Sequence, residues 1–229
     1  MDINKTKEYT VSEIFSVSFS LYKKQFVPLF IIALTMYVAV DVISYLLNIS
    51  VSGSAYAIFP LFFSWFSYNA YKKGQNGTKL SVSNVMATED KTVVSSLFFT
   101  YAVYTLLLVL LFLLFIIPGI YFAVYWTFVL FVVLDKHLSY KKALDFSKEI
   151  VKGRWWKVFF VALLSYLITI LFLIPVLFLP EGLFADIIAS IIASVCALYA
   201  VHVSLVMYLN LEVVKSKNVA NVTKQELKE

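Results

Sequence analysis

Apolar residues in this chain gather into long blocks instead of alternating with polar ones. Six blocks are long enough to be read as membrane-crossing helices: 27–48, 54–71, 93–117, 120–134, 155–179 and 183–213. All six glycines (Gly53, Gly74, Gly77, Gly119, Gly153 and Gly182) fall between the blocks, where a helix must stop or start. The block at 120–134 is the shortest. At ~1.5 Å per residue it covers only about 22 Å of a hydrocarbon core roughly 30 Å thick, so it must extend to about His137 or thin the bilayer. Between spans three and four the only connection is Pro118-Gly119, a residue that stops a helix followed by one that permits reversal, which predicts a tight antiparallel hairpin. Pro60 and Pro175 sit inside spans two and five and predict local kinks.

Two further segments have helical periodicity with a polar face. In 139–152, Tyr140, Ala143, Leu144, Ser147, Ile150 and Val151 share one side, and Lys141, Lys142, Asp145, Lys148, Glu149 and Lys152 the other, with Ser139 as N-cap. The pattern predicts a helix lying flat in the cytoplasmic interface through Leu144, Ile150 and Val151, with Trp155 and Trp156 anchoring the turn into span five. The segment 10–24 reads similarly but less cleanly, since Val17 and Phe19 stray onto its polar face. Shifting the chain against itself by 129 residues aligns the two without a gap: Thr10 with Ser139, Ser18 with Ser147, Lys23 with Lys152, Phe30 with Phe159, Leu34 with Leu163. A fainter third copy starts at Ser81. The chain therefore reads as three parallel units, each an interfacial helix followed by a helical hairpin.

Composition makes the membrane reading firm. Of 229 residues, 61% are hydrophobic and only 14% charged, and the mean hydropathy is +0.85, against about 25% charged in soluble domains. Little length is left for a catalytic domain outside the membrane. The net charge of +5 does not point to nucleic acid, because the basic residues are spread over several connections. All 19 lie at the N-terminus, around 72–91, around 136–157 or in the tail, and the connections 49–53, 118–119 and 180–182 contain none. By the positive-inside rule both termini are expected in the cytoplasm, with residues 216–229 as a polar cytoplasmic tail. The polar opening MDINKTKEY predicts no cleavable signal peptide. A single cysteine, Cys196, excludes an intramolecular disulfide and a cysteine metal cluster.

The run Ile117-Pro118-Gly119-Ile120-Tyr121, then Ser139 through Ser147, then Gly153-Arg154-Trp155-Trp156 resembles the membrane domain attached to some bacterial glycerophosphodiester phosphodiesterases and its stand-alone polytopic relatives. The closing Leu205-Val206-Met207-Tyr208-Leu209-Asn210-Leu211 is similar too, although the family's usual Arg after the Tyr is missing. The resemblance spans about 10–215. It implies a six-span fold in a bacterial cell membrane and carries over no activity, because in the fused relatives the hydrolase chemistry belongs to a separate soluble domain.

Chemistry-bearing residues are few. His137 and His202 are the only histidines, and no metal-ligand, nucleophile or phosphate-loop spacing is present, so no cofactor, no metal site and no enzyme activity is expected. Asp41 and Asp186 lie in spans one and six on the lysine-free side, where no Lys or Arg can pair with them, and an intramembrane Asp is a candidate site by default. With His202 they form the candidate polar site, against the alternatives of helix-terminus stabilisation for Asp186, an interhelical hydrogen bond or snorkelling to the outer headgroups for Asp41, and a helix-packing or interface role for His202. Lys141, Lys142, Lys148, Lys152, Arg154, Trp155 and Trp156 are candidates for lipid-headgroup contact. Ala185, Ala189, Ala193 and Ala197, with Ser190 and Ser194, form a small-residue face suited to an internal seam or to a homo-oligomer. The functional expectation is an all-α, non-enzymatic membrane module that interacts with lipid, with anionic headgroups in particular, or scaffolds a partner membrane protein. A small transporter using Asp41 and Asp186 is the alternative, and an intramembrane enzyme a distant third.

Overall fold

The computed structural model describes residues 7–47, 53–87, 90–180 and 182–226. Their regular structure is entirely helical: α1 (Val11–Leu47), a 3₁₀ turn (Gly53–Ile58), α2 (Phe59–Gln75), α3 (Val82–Met86), α4 (Lys91–Leu114), α5 (Ile116–Tyr125), α6 (Val129–Lys136), α7 (Tyr140–Val151), α8 (Trp155–Leu173), a 3₁₀ turn (Ile174–Phe178) and α9 (Leu183–Glu226). Five stretches are long and apolar enough to cross a membrane: α1, α4, α5 with α6, α8 with the start of its 3₁₀ turn, and most of α9. At 17 residues, α2 is shorter. The side chains agree with a lipid environment. Ile117 is 82% and Phe178 84% exposed, which in water would leave a large apolar patch uncovered and in hydrocarbon costs nothing.

Segments 10–24 and 27–48, expected as an interfacial helix and a separate span, form the single helix α1. It opens on a capping box, in which the Thr10 N–H donates to the Glu13 carboxylate at 2.7 Å and the Glu13 N–H to Thr10 Oγ1 at 3.3 Å, and it runs on through Pro28. Ile14, Ser18, Leu21, Tyr22, Gln25, Leu29, Ile32 and Ala33 are buried at three- and four-residue spacing along a stripe that packs against α9, the most extensive helix pair in the molecule. The equivalent region 139–157 does break, and one residue explains the difference. Gly153, at φ +81°, ends α7, and the 129-residue shift places Lys24 at its counterpart, where no such reversal is accessible at low cost.

The hairpin between spans three and four turns three residues before the expected Pro118-Gly119. Phe115 is the extended residue (φ −155°, ψ 125°) that separates α4 from α5. Pro118 falls in the first turn of α5, where its missing N–H has no intrahelical partner to lose. Gly119 serves close approach, because a Cβ there would lie 2.6 Å from Cδ1 of Phe112. The earlier turn also resolves the short fourth span, since Ile116–Lys136 has 21 residues, or about 32 Å. Pro60 and Pro175 likewise stand near element starts and not in mid-helix, as the second residue of α2 and of the second 3₁₀ turn.

The apolar face of α7 does not lie in lipid. Ala143, Leu144, Ser147, Ile150 and Val151 are all buried against α4, α5, α6 and α9. Ser147 is the reason for this docking. Its Oγ accepts the N–H of Phe128 at 3.3 Å and donates to the Tyr125 carbonyl at 2.8 Å, supplying partners at the break between α5 and α6. The helix α9 continues through Glu226, so most of the expected tail extends the last span. Of its small-residue face, Ala185, Ser190 and Ser194 are buried and Ala189, Ala193 and Ala197 half-buried, and Tyr22 of α1 donates to the Val195 carbonyl at 3.3 Å. The lysine-free connection at 49–53 lies mostly outside the described residues.

Candidate functional site

Residues of α1, α2, α4, α6 and α9 enclose a cavity of about 440 Å³ whose wall is half aromatic, with Tyr37, Tyr56, Phe63, Tyr101, Tyr104 and Trp126 among its lining. The wall is held by ring packing. Tyr37 and Tyr56 stack at 5.5 Å between centroids, and Phe59 meets Tyr37 edge-on at 4.7 Å. Asp41 follows Tyr37 by one turn of α1, and its carboxylate is bridged from two sides: Tyr56 Oη donates to Oδ1 at 2.7 Å, and Ser190 Oγ to Oδ2. Asp41 is thus tied through Tyr56 to the wall of the cavity.

Of the three residues singled out from the sequence as a candidate polar site, the two carboxylates lie close, Asp41 accepting from Ser190 one turn of α9 beyond Asp186, while His202 lies apart from them. Asp186 is exposed in the first turn of α9, one turn before Ser190, where the helix dipole favours a carboxylate. His202, three turns beyond Ser190, is fully buried. Its Nδ1 lies 2.7 Å from the Leu198 carbonyl and its Nε2 3.1 Å from the Gln25 carboxamide, and Tyr22 packs edge-on at 5.4 Å. Through Gln25 and Tyr22 it ties α9 to α1. Among the described residues no three His, Cys, Asp or Glu side chains gather as metal ligands.

At the opposite end the charged side chains of separate connections meet. Asp135 accepts from Tyr68 at 2.7 Å and from Tyr208 at 2.8 Å, and Lys136 bridges Asp135 at 3.2 Å and Glu212 at 2.9 Å. Glu8 binds Arg154 at 2.8 Å and Lys157 at 2.6 Å. Partial burial raises the Glu8 carboxyl, but hydrogen bonds from Lys157 and Arg154 outweigh it and hold the group below the usual carboxylate range. Asn210 closes the clamp by accepting the Tyr9 N–H and donating to the Lys7 carbonyl, each at 2.9 Å.

Of the residues expected to touch headgroups, Lys141, Lys142, Lys148, Lys152 and Trp156 are exposed. The Arg154 guanidinium is held by Glu8, Lys148 lies 5.9 Å from the rings of Phe122 and Tyr125, and Trp155 stacks on Phe159 at 5.2 Å while its Nε1 donates to the Tyr121 carbonyl at 3.2 Å. Beside the Asp135 hub, a smaller cavity of about 240 Å³ is lined by Tyr68, Asn69, Lys72, Asp90 and His137 among others.

No protein-family model, curated protein or solved structure matches this chain. Its function must therefore be argued from its own geometry. Sequence reasoning missed Asp135, Tyr68, Gln25 and Tyr56. The signal for Asp135 was visible, because it is a carboxylate closing a block of 44 residues (92–135) with no Lys or Arg, but its neighbour Lys136 drew attention to topology instead.

Proposed function

We propose that the chain is a non-enzymatic integral membrane module that takes up an amphiphilic, lipid-like molecule from the bilayer into the aromatic cavity. The carrying observation is the cavity itself: its volume falls in the range of ligand sites, and it combines an apolar wall with a few polar groups, as such sites do. In this reading α2, extended by the preceding 3₁₀ turn, crosses as a sixth helix, and the lysine-rich end with both termini faces the cytoplasm of a bacterial cell. The exposed Lys141, Lys142 and Lys152, with Trp156, then contact anionic headgroups of the inner leaflet. Thr10, Ser81 and Ser139 each stand at an N-cap, which supports the three-unit repeat, and the repeat is in keeping with the resemblance to the phosphodiesterase-associated membrane domain.

Mass spectrometry of lipids retained by the purified protein, compared with an Ala200→Trp variant that fills the cavity from α9, tests this. A co-purified amphiphile that disappears from the folded variant is the expected result. The same lipid complement in both proteins would refute the cavity as its site. A small transporter is the second reading, supported by Asp41, an intramembrane carboxylate whose partners among the described residues are hydroxyls. Solute flux through reconstituted protein that is lost in Asp41→Asn would favour it.

A further inference from the structure

We propose that the cavity selects an organic cation, the ammonium or other onium head of an amphiphile, with Asp41 as its counter-ion and the aromatic wall as its cage. The inference rests on the cavity being a ligand site and names the class of ligand. Three observations converge on it. The first is the wall: Tyr37, Tyr56, Phe63, Tyr101, Tyr104 and Trp126 line one space, and an aromatic face attracts a cation that comes within about 6 Å of its centre.

The second is the charge. No Lys or Arg occurs in 25–71, 92–135 or 158–214, the stretches that supply the cavity's lining. Asp41 therefore has only the hydroxyls of Tyr56 and Ser190 as partners among the described residues, and Asp186 stands one turn of α9 before Ser190. A partly buried carboxylate with no cation beside it is costly, and an incoming cation supplies the missing charge. An anionic headgroup would meet the same field as repulsion.

The third is the coupling between ring and carboxylate. Tyr56 both lines the cavity and donates its phenol proton to Asp41. The hydrogen bond draws the proton from the phenol oxygen, enriching the ring with electrons and so strengthening the face a cation would occupy.

The test compares two ions of one shape and opposite charge, tetraphenylphosphonium and tetraphenylborate, by equilibrium dialysis against the full chain in neutral detergent. Wild-type protein should bind the phosphonium and discriminate strongly against the borate. Asp41→Asn should weaken phosphonium binding by about an order of magnitude or more, because it removes a full charge acting through a medium far less polar than water. Tyr56→Phe keeps the ring and removes the link to Asp41, so it should weaken binding less. Ala200→Trp should abolish it. Equal binding of both ions, blocked by Ala200→Trp, would overturn the cation assignment and leave the cavity as a ligand site. Binding that Ala200→Trp does not change would remove the cavity reading as well, and no binding of either ion overturns the cation assignment. The comparison of the two ions on wild-type protein decides the matter even if Asp41→Asn does not fold.

Discussion

Removing the hydroxyl of Tyr208 tests whether the Asp135 hub holds the lysine-rich end together. Three helices meet there through one carboxylate, α2 by Tyr68, α6 by Asp135 and α9 by Tyr208, with both phenol oxygens within 2.8 Å. A hydrogen bond to a charged acceptor contributes about 1.5–3 kcal/mol in soluble proteins, whereas interhelical hydrogen bonds in membranes average about 0.6 kcal/mol with a maximum near 1.7. The hub lies between these cases, since Tyr208 is 0% exposed while the Asp135 side chain keeps 24% of its surface. We expect Tyr208→Phe to destabilise the protein by ~1–2 kcal/mol and Tyr68→Phe by less, because its smaller burial leaves more access to water.

Asp135→Leu should cost more than either. It leaves the enclosed Tyr208 hydroxyl without an acceptor and takes one of two carboxylates from Lys136. Because both phenols act on one carboxylate, Tyr68→Phe with Tyr208→Phe should depart from additivity by more than the ~0.5 kcal/mol seen for independent sites. Reversible unfolding in bicelles, measured for wild type, both single variants and the double variant, gives all the terms. Single variants within about 0.3 kcal/mol of wild type, or strict additivity, would refute the hub as a coupled unit.

Other consequences follow from the same geometry. The Glu8 carboxyl has its pKa depressed in the folded chain by Lys157 and Arg154, so the clamp contributes stability above the ordinary Glu range and loses it as pH falls through the lowered value; Glu8→Gln should remove that acid-dependent component in thermal melts run at successive pH values. Gly119→Ala gains up to about 1 kcal/mol of helix propensity but drives a Cβ to 2.6 Å from the Phe112 ring, an overpacking cost of about 1–3 kcal/mol, and Phe112→Leu should rescue it. Single cysteines placed at 52 and at 146 should label from opposite faces of the membrane, 52 from outside, and external labelling of both would overturn the orientation.

Block length, glycine punctuation and the segregation of 19 basic residues made the helical membrane character legible from the sequence, because hydrocarbon admits only long apolar helices whose backbone is satisfied internally. The same local signals could not say what each amphipathic face would meet. The stripe at 139–152 fits either lipid or protein, and Ser147 docking at the α5–α6 break decided for protein. Nor could they show that Phe115 and not Pro118-Gly119 makes the turn, since both positions are compatible with local propensity and the contact of Gly119 with Phe112 depends on how two helices cross. Asp41 was visible as an unpaired charge, but its link to an aromatic cavity runs through Tyr56, 15 positions away. Hydropathy is a property of neighbours in sequence, and a site is a property of neighbours in space. In a bundle built from long antiparallel helices, the two coincide only along one face of one helix at a time.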